Sequence, residues 1–447
     1  MNKSVQIVLP KKVKYIIDKL SHSGYEAFAV GGCVRDVVLG RVPNDWDITT
    51  SATPEQVKSI FKRTIDTGIE HGTVTVMVDR EGFEVTTYRV DGEYKDGRHP
   101  DSVQFTPELR EDLKRRDFTI NAMAYNETEG LIDIFDGKGD IERKLIRCVG
   151  EAKERFKEDA LRMMRAVRFS AQLGYDIEED TKTAIKELAP TLKNISAERI
   201  QTELIKLVVS SNPDYLRTAY ETGVTAVVLP EFDKMMETEQ KNPHHCYSVG
   251  EHTLCAMKSI KADKVLRLAM LFHDVGKPET LTVDEEGISH FYGHPEVGME
   301  MTRQIMRRLK FDNDTLFKVT KLVELHDHRP SLKKSSVRRL LVQSGTELFP
   351  ELLKVKKADT LAQSEYLQEE KLKYLEELND LYQEILKSQD CLQIKDLAIN
   401  GTDLMKFGIP QGKQIGAILS EIFEMILEEP EKNSREYLMN FVKKTYL

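Results

Sequence analysis

The sequence has little cysteine and no long apolar run. Its five cysteines are scattered over 447 residues without a CxxC pair, so neither a disulfide framework nor a cysteine zinc site is expected. No stretch reaches the roughly 18 consecutive apolar residues of a membrane span. The opening MNKSVQIVLPKKVKYII lacks the apolar core and small-residue site of a secretory signal. These absences favour a cytoplasmic protein with reduced thiols.

A global excess of basic residues is also missing. The formal net charge is −9, so composition gives no sign of a nucleic-acid partner. Basic residues do cluster locally, in the RRD tripeptide at 115–117 and at helical spacing in Arg162, Arg165 and Arg168. Such clusters suit either a polyanion or a solvated helix face, and by themselves they leave both readings open.

Strand signals are concentrated near the start of the chain. The runs AFAV, DWDIT, GTVTVMV and FEVTTYRV are β-rich and flank a helical TPEQVKSIFKR, whereas helical periodicity dominates beyond residue 150. The pattern predicts an α+β fold, with a mixed N-terminal head (a small β-sheet with helices) followed by an all-α remainder. The predicted divisions are a head at 1–150, a helical neck at 151–215, a helical body at 216–390 and a tail at 391–447.

The segment AVGGCVRDVVLGRVPNDWDITT, residues 29–50, combines a glycine pair, an arginine and two acids. If DWDIT is a strand, Asp45 and Asp47 share one face about 7 Å apart and can bind one divalent cation or a close pair. Gly31 and Gly32 stand where a strand gives way to a helix, so backbone amides can approach phosphate there. Together with Arg35, this set suits nucleotidyl transfer, although an isolated DxD is more often a plain strand end.

Four motifs follow one another between residues 25 and 210: GGCVRD…NDWDITT, LKRRDFTINAMAY, EDALRMMRAVRF and SAERIQTEL. Their order resembles that of the class II tRNA nucleotidyltransferases, which comprise the CCA-adding enzymes and their bacterial poly(A) polymerase relatives. The resemblance implies an enzyme that adds C, C and A from CTP and ATP to the 3′ end of tRNA without a nucleic-acid template, using Mg²⁺ and releasing pyrophosphate.

The resemblance also assigns roles to residues. Asp45 and Asp47 become the catalytic Mg²⁺ ligands, and Asp159 with Arg162 would read the base edge from one helix face, unless they form only a surface ion pair. Guanine and uracil would leave donors and acceptors of that pair unmatched. The nucleotide-binding residues that it implies are Gly32, Arg35, Arg116, Asp117, Asn121, Asp159, Arg162, Arg165 and Arg168.

Two further segments bear on which nucleotides are added. IDIFDGKGDI, with Phe135-Asp136-Gly137, stands where the family often has an Asp-Pro-Phe-Gly-Gly turn that serves as a hinge, and it departs from that run while keeping glycines. The polar, glycine-bearing stretch from Asp91 to Ser102 matches a flexible loop that CC-adding relatives lack. Its presence indicates terminal A addition, by either a full CCA-adding or an A-only enzyme.

Eight of the eleven histidines fall between 244 and 328. Imidazole and carboxylate ligands on successive helices suit divalent transition metals. LFHDVGKP resembles the HD phosphohydrolases, which implies a two-metal HD domain at about 245–365 that hydrolyses phosphomonoesters or phosphodiesters, such as a 2′,3′-cyclic phosphate on a damaged tRNA end, unless it is retained only as scaffold. His244, His245, His290 and His328 are expected to be structural or at the rim. The predicted ligands are His252, His273, Asp274, His294, His326 and Asp359.

The tail DLAINGTDLMKFGIPQGKQIGAILSEIFEMI predicts a helix, a Gly-Ile-Pro break and a second helix near Gly412, resembling the family tail that holds the tRNA elbow. The favoured function is therefore CCA addition with an accessory HD hydrolase. Rivals are an A-adding enzyme, a poly(A) polymerase, an HD phosphohydrolase whose head only binds RNA, and a non-catalytic RNA-binding protein. The sequence leaves open whether the protein is a monomer or a homodimer.

Overall fold

The computed structural model describes residues 7–92, 103–241 and 247–446. The chain divides into two compact units, Met1–Asp233 and Lys234–Leu447. The fold is mixed α+β, with a sheet near the N-terminus and a mostly helical remainder, which confirms the predicted class. Over the described ranges, none of the helices has the length and apolar character needed to cross a membrane. The stretch assigned to the flexible loop lies, from residue 93 to 102, outside the described residues, as do His244 and His245.

The first unit holds nearly all of the β-structure. A seven-stranded sheet runs in the order β3-β4-β5-β2-β1-β8-β9, and only its β2–β5 pair is parallel. The strands are β1 (Ala27–Val30), β2 (Ile48–Thr50), β3 (Thr64–Gly68), β4 (Thr73–Val78), β5 (Glu81–Thr87), β6 (Arg89–Asp91), β7 (Val103–Phe105), β8 (Met123–Asn126), β9 (Gly130–Asp133), β10 (Leu145–Ile146) and β11 (Asp176–Ile177).

The helices of this unit cover the sheet and then continue as a helical extension. The Thr-Pro start predicted at residue 53 is a capping box, in which Thr53 and Gln56 each bond the other's backbone amide. The helices are α1 (Lys11–His22), α2 (Gly32–Val38), α3 (Pro54–Ile60), α4 (Leu109–Lys114), α5 (Gly137–Arg143), α6 (Ala152–Glu158), α7 (Leu161–Leu173), α8 (Glu179–Leu188), α9 (Ala197–Val208), α10 (Leu216–Glu221) and α11 (Val224–Val228). The boundary between the two units falls within α12 (Pro230–Glu237).

The second unit is helical apart from one small hairpin. Apolar residues of α22 and α23 form the core of its last segment, so the predicted tail helices are present and packed. Its elements are α13 (Val249–Lys258), α14 (Lys264–Phe272), α15 (Lys277–Thr280), β12 (Thr282–Val283), β13 (Ser289–His290), α16 (His294–Arg308), α17 (Asn313–Leu325), α18 (Lys334–Ser344), α19 (Phe349–Ala362), α20 (Gln368–Lys387), α21 (Gly401–Lys406), α22 (Lys413–Glu428) and α23 (Arg435–Tyr446).

Short 3₁₀ turns connect several of these elements. They lie at Ile69–His71, Thr119–Asn121, Ala189–Asn194, Pro213–Tyr215, Ile394–Asp396 and Pro430–Lys432.

Candidate nucleotide site and metal centre

The glycine pair forms the tight turn from β1 into α2. Gly31 has a φ of 83°, a backbone region that suits glycine, and its amide donates to the Met123 carbonyl at 3.0 Å. A Cβ added at Gly31 would lie 3.0 Å from Nη1 of Arg116. The turn therefore brings a guanidinium group close to the backbone, where phosphate oxygens could also approach.

The two acids lie immediately before β2 rather than within it, so the prediction that DWDIT is a strand from its first residue was wrong. β1 pairs with β2 only as far as Ala29 opposite Ile48, and one further bond joins the Val30 amide to the Asp47 carbonyl at 3.0 Å. Beyond Val30 the chain turns into α2, so Asp45 has no β1 partner. The acids are thus presented at the end of the ladder.

Asp47 has two acidic neighbours. The protein around it removes water from its carboxyl group and raises its pKa, Arg116 acts in the opposite direction, and Asp45 adds to the rise. The parallel register that pairs Ile48 with Val85 aligns Asp47 with Glu84, the preceding residue of β5. A third carboxylate is therefore available beside the predicted pair.

A continuous chain of hydrogen bonds crosses the nucleotide-binding residues. Arg35 donates to the side-chain oxygen of Asn121 at 2.7 Å, Asn121 donates to Asp117 at 3.1 Å, and Arg165 donates to Asp117 at 2.8 and 2.6 Å. Burial alone would raise the pKa of Asp117, but Arg165 and Asn121 outweigh it and lower that pKa to about 2. Residues from α2, the 119–121 turn and α7 are thereby fixed together.

Phe169 underlies the arginines of this site, a role that sequence reasoning missed. The guanidinium carbons of Arg168, Arg165 and Arg35 lie 3.8, 5.3 and 5.1 Å from the centre of its ring. Arg168 also pairs with buried Glu203 at 2.5 Å, although burial lowers the pKa of Arg168 to about 10. Three guanidinium groups thus gather around one ring, and Glu203 pairs with that of Arg168.

Asp159 and Arg162 do not share one helix face, contrary to the prediction. Asp159 is extended, with φ −145° and ψ 103°, and lies in the break between α6 and α7. Its carboxylate accepts from the Leu161 amide at 3.0 Å and from Arg199 at 2.6 Å. Arg162 instead donates to Glu158 at 2.5 Å and to the Arg115 carbonyl at 3.1 Å. The two side chains are therefore held by different partners.

Arg199 and Glu203 lie in the quoted motif SAERIQTEL, whose residues were given no role. Both side chains project from α9. Glu203 pairs with Arg168 of α7, and Arg199 pairs with Asp159 just before α7. Their spacing of four along a helix was a usable signal, because it places both on one face.

The turn at residues 135–137, whose sequence differs from the family's usual Asp-Pro-Phe-Gly-Gly run, is held by hydrogen bonds to its backbone amides. Asp133 accepts from the Gly137 amide at 2.7 Å and from the Lys138 amide at 2.8 Å. Asp136 has a φ of 61°, and a Cβ at Gly137 would lie 2.3 Å from the Thr119 carbonyl oxygen. Glycine is therefore required at 137 even without the family's usual run.

In the second unit, the predicted metal ligands converge around one carboxylate. Oδ2 of Asp274 lies 3.2 Å from Nε2 of His273 and 3.6 Å from Nε2 of His252, while its Oδ1 lies 3.5 Å from Nε2 of His294 and 3.6 Å from Nε2 of His326. Asp274 thus faces two histidine pairs, one with each oxygen, so that Asp274 and these histidines would be the residues to hold divalent metal there. Burial alone would raise the pKa of Asp274, but His273 and Lys277 hold it well below its usual range.

In each histidine pair, the Nε2 atoms of the two rings face each other. Nε2 of His252 lies 3.3 Å from Nε2 of His273, and the Nε2 atoms of His294 and His326 are also 3.3 Å apart. Asp359 lies beside the pair formed by His252 and His273, with its Oδ1 2.9 Å from Nε2 of His252. The Nδ1 atoms of the four rings lie 2.7 to 3.3 Å from backbone carbonyls, those of Ala362, Met270, Phe291 and Val323.

These carbonyls orient each ring as a metal ligand requires. A ring whose Nδ1 donates a proton has an unprotonated Nε2 with a free lone pair. Two such lone pairs facing each other repel unless a cation or a proton lies between them. The donor set of imidazole nitrogens and carboxylates therefore fits divalent transition metals.

The metal centre opens into a cleft of about 540 Å³. Lys277 pairs with Asp274 at 2.7 Å on its floor, and Arg329 and Lys371 line its wall. His290, expected at a rim, also lines the cleft, where its ring stacks on Tyr292 at 5.4 Å. Asp327 and Asp359 also line the cleft, so cationic and acidic groups stand side by side there.

Three family models match the chain. The "Poly A polymerase head domain" matches residues 27–147, and the "Probable RNA and SrmB- binding site of polymerase A" matches residues 174–236. The model described as "tRNA nucleotidyltransferase domain 2" matches residues 280–442.

Full-length relatives carry one name. The chain is 36% identical over 432 residues to the CCA-adding enzyme of Lactobacillus johnsonii, covering 96% of this chain and 95% of that one. It is 35% identical over 441 residues to the CCA-adding enzyme of Enterococcus faecalis, covering 97% and 96%.

Solved structures agree over the same length. The Bacillus stearothermophilus CCA-adding enzyme in complex with CTP superposes with a TM-score of 0.73 at 32% identity, over 98% of each chain. The Thermotoga maritima CCA-adding enzyme complexed with tRNA shares the fold, with a TM-score of 0.57 at 21% identity over 99% and 97% of the two chains.

Proposed function

The chain belongs to the CCA-adding enzymes, and on that premise we propose that it adds C, C and A to the 3′ end of tRNA from CTP and ATP in the cytoplasm. The addition needs no nucleic-acid template and releases pyrophosphate. The observation that carries the assignment is the bonded chain from Arg35 through Asn121 and Asp117 to Arg165, in the same unit as the two acids.

The cations of this chain would bind the triphosphate. Arg35 and Arg116 flank the glycine turn, so their guanidinium groups and the backbone amides can hold phosphate oxygens together. Asp117 and Asn121 keep Arg35 and Arg165 in fixed positions before the nucleotide arrives. Such preorganisation lowers the barrier, because the charges need not reorient as the α-phosphate is attacked.

Asp45 and Asp47, with Glu84 in register, offer the hard oxygen ligands that Mg²⁺ prefers. When bound, Mg²⁺ supplies charge neutralisation at the triphosphate and activation of the 3′-hydroxyl. The acids hold that position at the end of the β1–β2 ladder.

Base selection falls to Asp159 and Arg162. Their present partners, Arg199 and Glu158, hold both side chains near the break between α6 and α7. A cytosine or adenine edge offers donors and acceptors that match an acid and a guanidinium group, whereas guanine and uracil leave groups unpaired.

The test is pyrophosphate release from each of CTP, ATP, GTP and UTP with Mg²⁺ and a tRNA transcript ending in CC. We expect release with ATP and none above background with GTP or UTP. Asp47→Asn serves as the inactive control. Equal release from all four nucleotides would contradict the roles of Asp159 and Arg162.

A second candidate function is metal-dependent phosphate ester hydrolysis in the second unit. It rests on the convergence of the four histidine Nε2 atoms on Asp274. When bound, two metal ions supply an activated water and neutralise the phosphate. Arg329 and Lys371, which line the cleft, would hold the ester's phosphate oxygens.

Hydrolysis can be tested with bis-p-nitrophenyl phosphate, p-nitrophenyl phosphate and a 2′,3′-cyclic nucleotide, each with Mn²⁺, Ni²⁺ or Mg²⁺. Asp274→Asn should abolish any hydrolysis without changing CTP incorporation. No hydrolysis under any metal would leave this cluster without the proposed activity.

A further inference from the structure

A strongly basic groove lies on the first unit beside the edge of the sheet. It has a volume of about 650 Å³ and runs between α1 and the strands β3 and β4. Asp79 is its single acidic lining residue. Its basic lining residues are Lys11, Lys12, Lys19, Lys62 and Arg63. This concentration of one sign stands out in a chain whose net charge is −9.

Three of the lining residues follow one face of α1. Lys11, Tyr15 and Lys19 are spaced four apart, so they stand one above another over about 12 Å of helix. The Tyr15 ring is about half exposed, at 49%. The helix thus presents a cation, an aromatic ring and a second cation in a row.

Lys62 and Arg63 face this row from the chain segment between α3 and β3. Lys19 lies over the ring of Phe61 at 4.7 Å and over that of Tyr15 at 5.8 Å, which ties the two walls together. Within the part of the chain that the structure describes, no ion pair or hydrogen bond holds the side-chain nitrogens of Lys62 or Arg63. Their charges therefore remain available for a ligand.

Other basic residues at or near the groove are paired with acids, including Lys12 of its lining, which pairs with Glu81 at 2.9 Å. Lys14 pairs with Asp18 and Glu127, and Lys58 pairs with Asp66 at 2.9 Å. Unpaired cations thus concentrate in the groove, although surface lysines on this unit can find acidic partners. Leaving several like charges together is unfavourable unless an anion binds there.

We propose that this groove, the α1 groove, is a second RNA-contacting surface that binds a single-stranded segment. Phosphates would lie against Lys11, Lys19, Lys62 and Arg63, and a base would stack on Tyr15. Alternating phosphate and base contacts are what a single strand offers, and aromatic stacking with a cationic track binds it without sequence preference. An acidic peptide would use the cations, but it does not place an aromatic base beside every negative charge as a nucleic-acid strand does.

The α1 groove is separate from the acids of the candidate nucleotide site. It borders β3 and β4, whereas Asp45 and Asp47 precede β2, and β5 lies between β4 and β2 in the sheet. The inference therefore goes beyond the proposed transfer reaction, and binding to the groove can be measured whether or not that reaction occurs.

The experiment compares two variants of the full chain that each lose two positive charges. Lys62→Gln/Arg63→Gln alters the groove, and Lys14→Gln/Lys58→Gln is the matched control outside it. Binding of a labelled oligoadenylate of about 12 nucleotides and of a CC-ended tRNA transcript is measured over a range of salt concentrations. Loss of two phosphate contacts should lower the logarithmic salt slope by about 1.4.

We expect the groove variant to bind oligoadenylate about tenfold more weakly, with the reduced salt slope, while the control matches the parent protein. A parallel loss for the tRNA identifies the substrate's own strand as the occupant, and a loss for oligoadenylate alone identifies another RNA. Unchanged affinity and slope for both RNAs, or a loss for tRNA alone, would overturn the proposal. The proposal would also be overturned if polyglutamate displaced RNA from the groove equally well in the parent protein and in Tyr15→Ala.

Tyr15 provides the second readout. Tyr15→Ala should weaken oligoadenylate binding at least fivefold, because stacking contributes about 1–3 kcal/mol per base, whereas Tyr15→Phe keeps the ring and the affinity. Thermal melting of both variants serves as the folding control. Equal oligoadenylate affinities of Tyr15→Ala and Tyr15→Phe would contradict the stacking of a base on the Tyr15 ring.

Discussion

In the first unit, unlike groups alternate along a bonded chain from Arg35 to Arg165, so each charge has a partner before any substrate binds. In the second unit, like groups face one another, with histidine nitrogens 3.3 Å apart around Asp274, and Asp359 beside one of the two pairs. Both sites are built from polar side chains on helices. They differ in that the first site pairs each group with an unlike one, whereas the second also brings imidazole nitrogens directly against one another.

The difference indicates what each site needs in order to be stable. A buried polar network that satisfies itself can remain ordered without its ligand. A cluster of facing acceptors is costly until a cation enters. We therefore expect the first unit to keep its geometry without nucleotide or metal, and the second to be stabilised by metal.

The largest expected effect separates the two sites by activity. Asp47→Asn should lower nucleotide incorporation at least about 1,000-fold, because it removes charge from the ligand pair that would hold Mg²⁺. Phosphate ester hydrolysis by the same variant should be unchanged. Parallel assays of labelled CTP incorporation and of p-nitrophenyl phosphate hydrolysis measure both. A loss of both activities together would show that the sites are not independent.

Metal binding should sharpen the comparison by acting on one unit. At a free Mn²⁺ concentration 100 times its Kd, the metal-bound state gains about 2.7 kcal/mol, or about 100-fold in protection from local opening. Hydrogen–deuterium exchange should slow in α13, α14 and α16, which carry or border the ligands, and stay the same in α7. His294→Gln/His326→Gln should reduce the effect. Equal slowing of hydrogen–deuterium exchange in α7 would contradict the claim that metal stabilises only the second unit.

Acid should weaken the first network through Asp117. Its pKa is lowered to about 2, so the stability that this carboxylate contributes is present above about pH 4 and is lost as the pH falls from 4 towards 2. The pH-dependent part is on the order of 2 kcal/mol, with about half lost by pH 3.

Urea unfolding of the parent protein and of Asp117→Asn is measured at pH 7 and at pH 3. The difference in unfolding free energy between the two proteins should shrink from pH 7 to pH 3, and that change is the pH-dependent contribution of the Asp117 carboxylate. Asn121→Ser, which keeps the carboxylate–guanidinium pair, is the control. A stability difference that stays constant between the two pH values would contradict the role of the Asp117 charge.

The smallest expected effect concerns selectivity. Arg199→Met removes the guanidinium group that holds Asp159 at 2.6 Å, so we expect the preference for CTP over UTP, measured as the ratio of kcat/KM values, to fall about tenfold. Arg199→Lys should retain part of the preference. Arg199 acts here as a positioning residue, and an equal fall in kcat/KM for both nucleotides would show a merely structural role.

Much of the local structure could be predicted from residue patterns. Thr53-Pro54 with Gln56 is a capping box that the sequence displays directly, and the Gly-Ile-Pro break between α21 and α22 falls where the glycines are. The six predicted metal ligands also converge, because histidines at this density on helices have few other uses.

Two features could not be predicted, because they depend on residues distant in sequence. The DWDIT strand begins only at Ile48, since its partner β1 ends at Val30 where the glycine turn begins. The EDALR helix breaks because the Asp159 side chain accepts a bond from the Leu161 amide, and its charge is matched by Arg199, 40 residues away. The Leu161 amide is local, but the local patterns contain neither the end of β1 nor Arg199, so they could not locate these two boundaries.

The most direct measurement is incorporation of labelled CTP and ATP, with Mg²⁺, into three tRNA transcripts that end at the discriminator base, after C and after CC. We predict that all three are extended to CCA. Extension of the CC-ended transcript alone, by one A, would make the protein an A-adding enzyme. No incorporation into any transcript would contradict the assignment of the first unit as a nucleotidyltransferase.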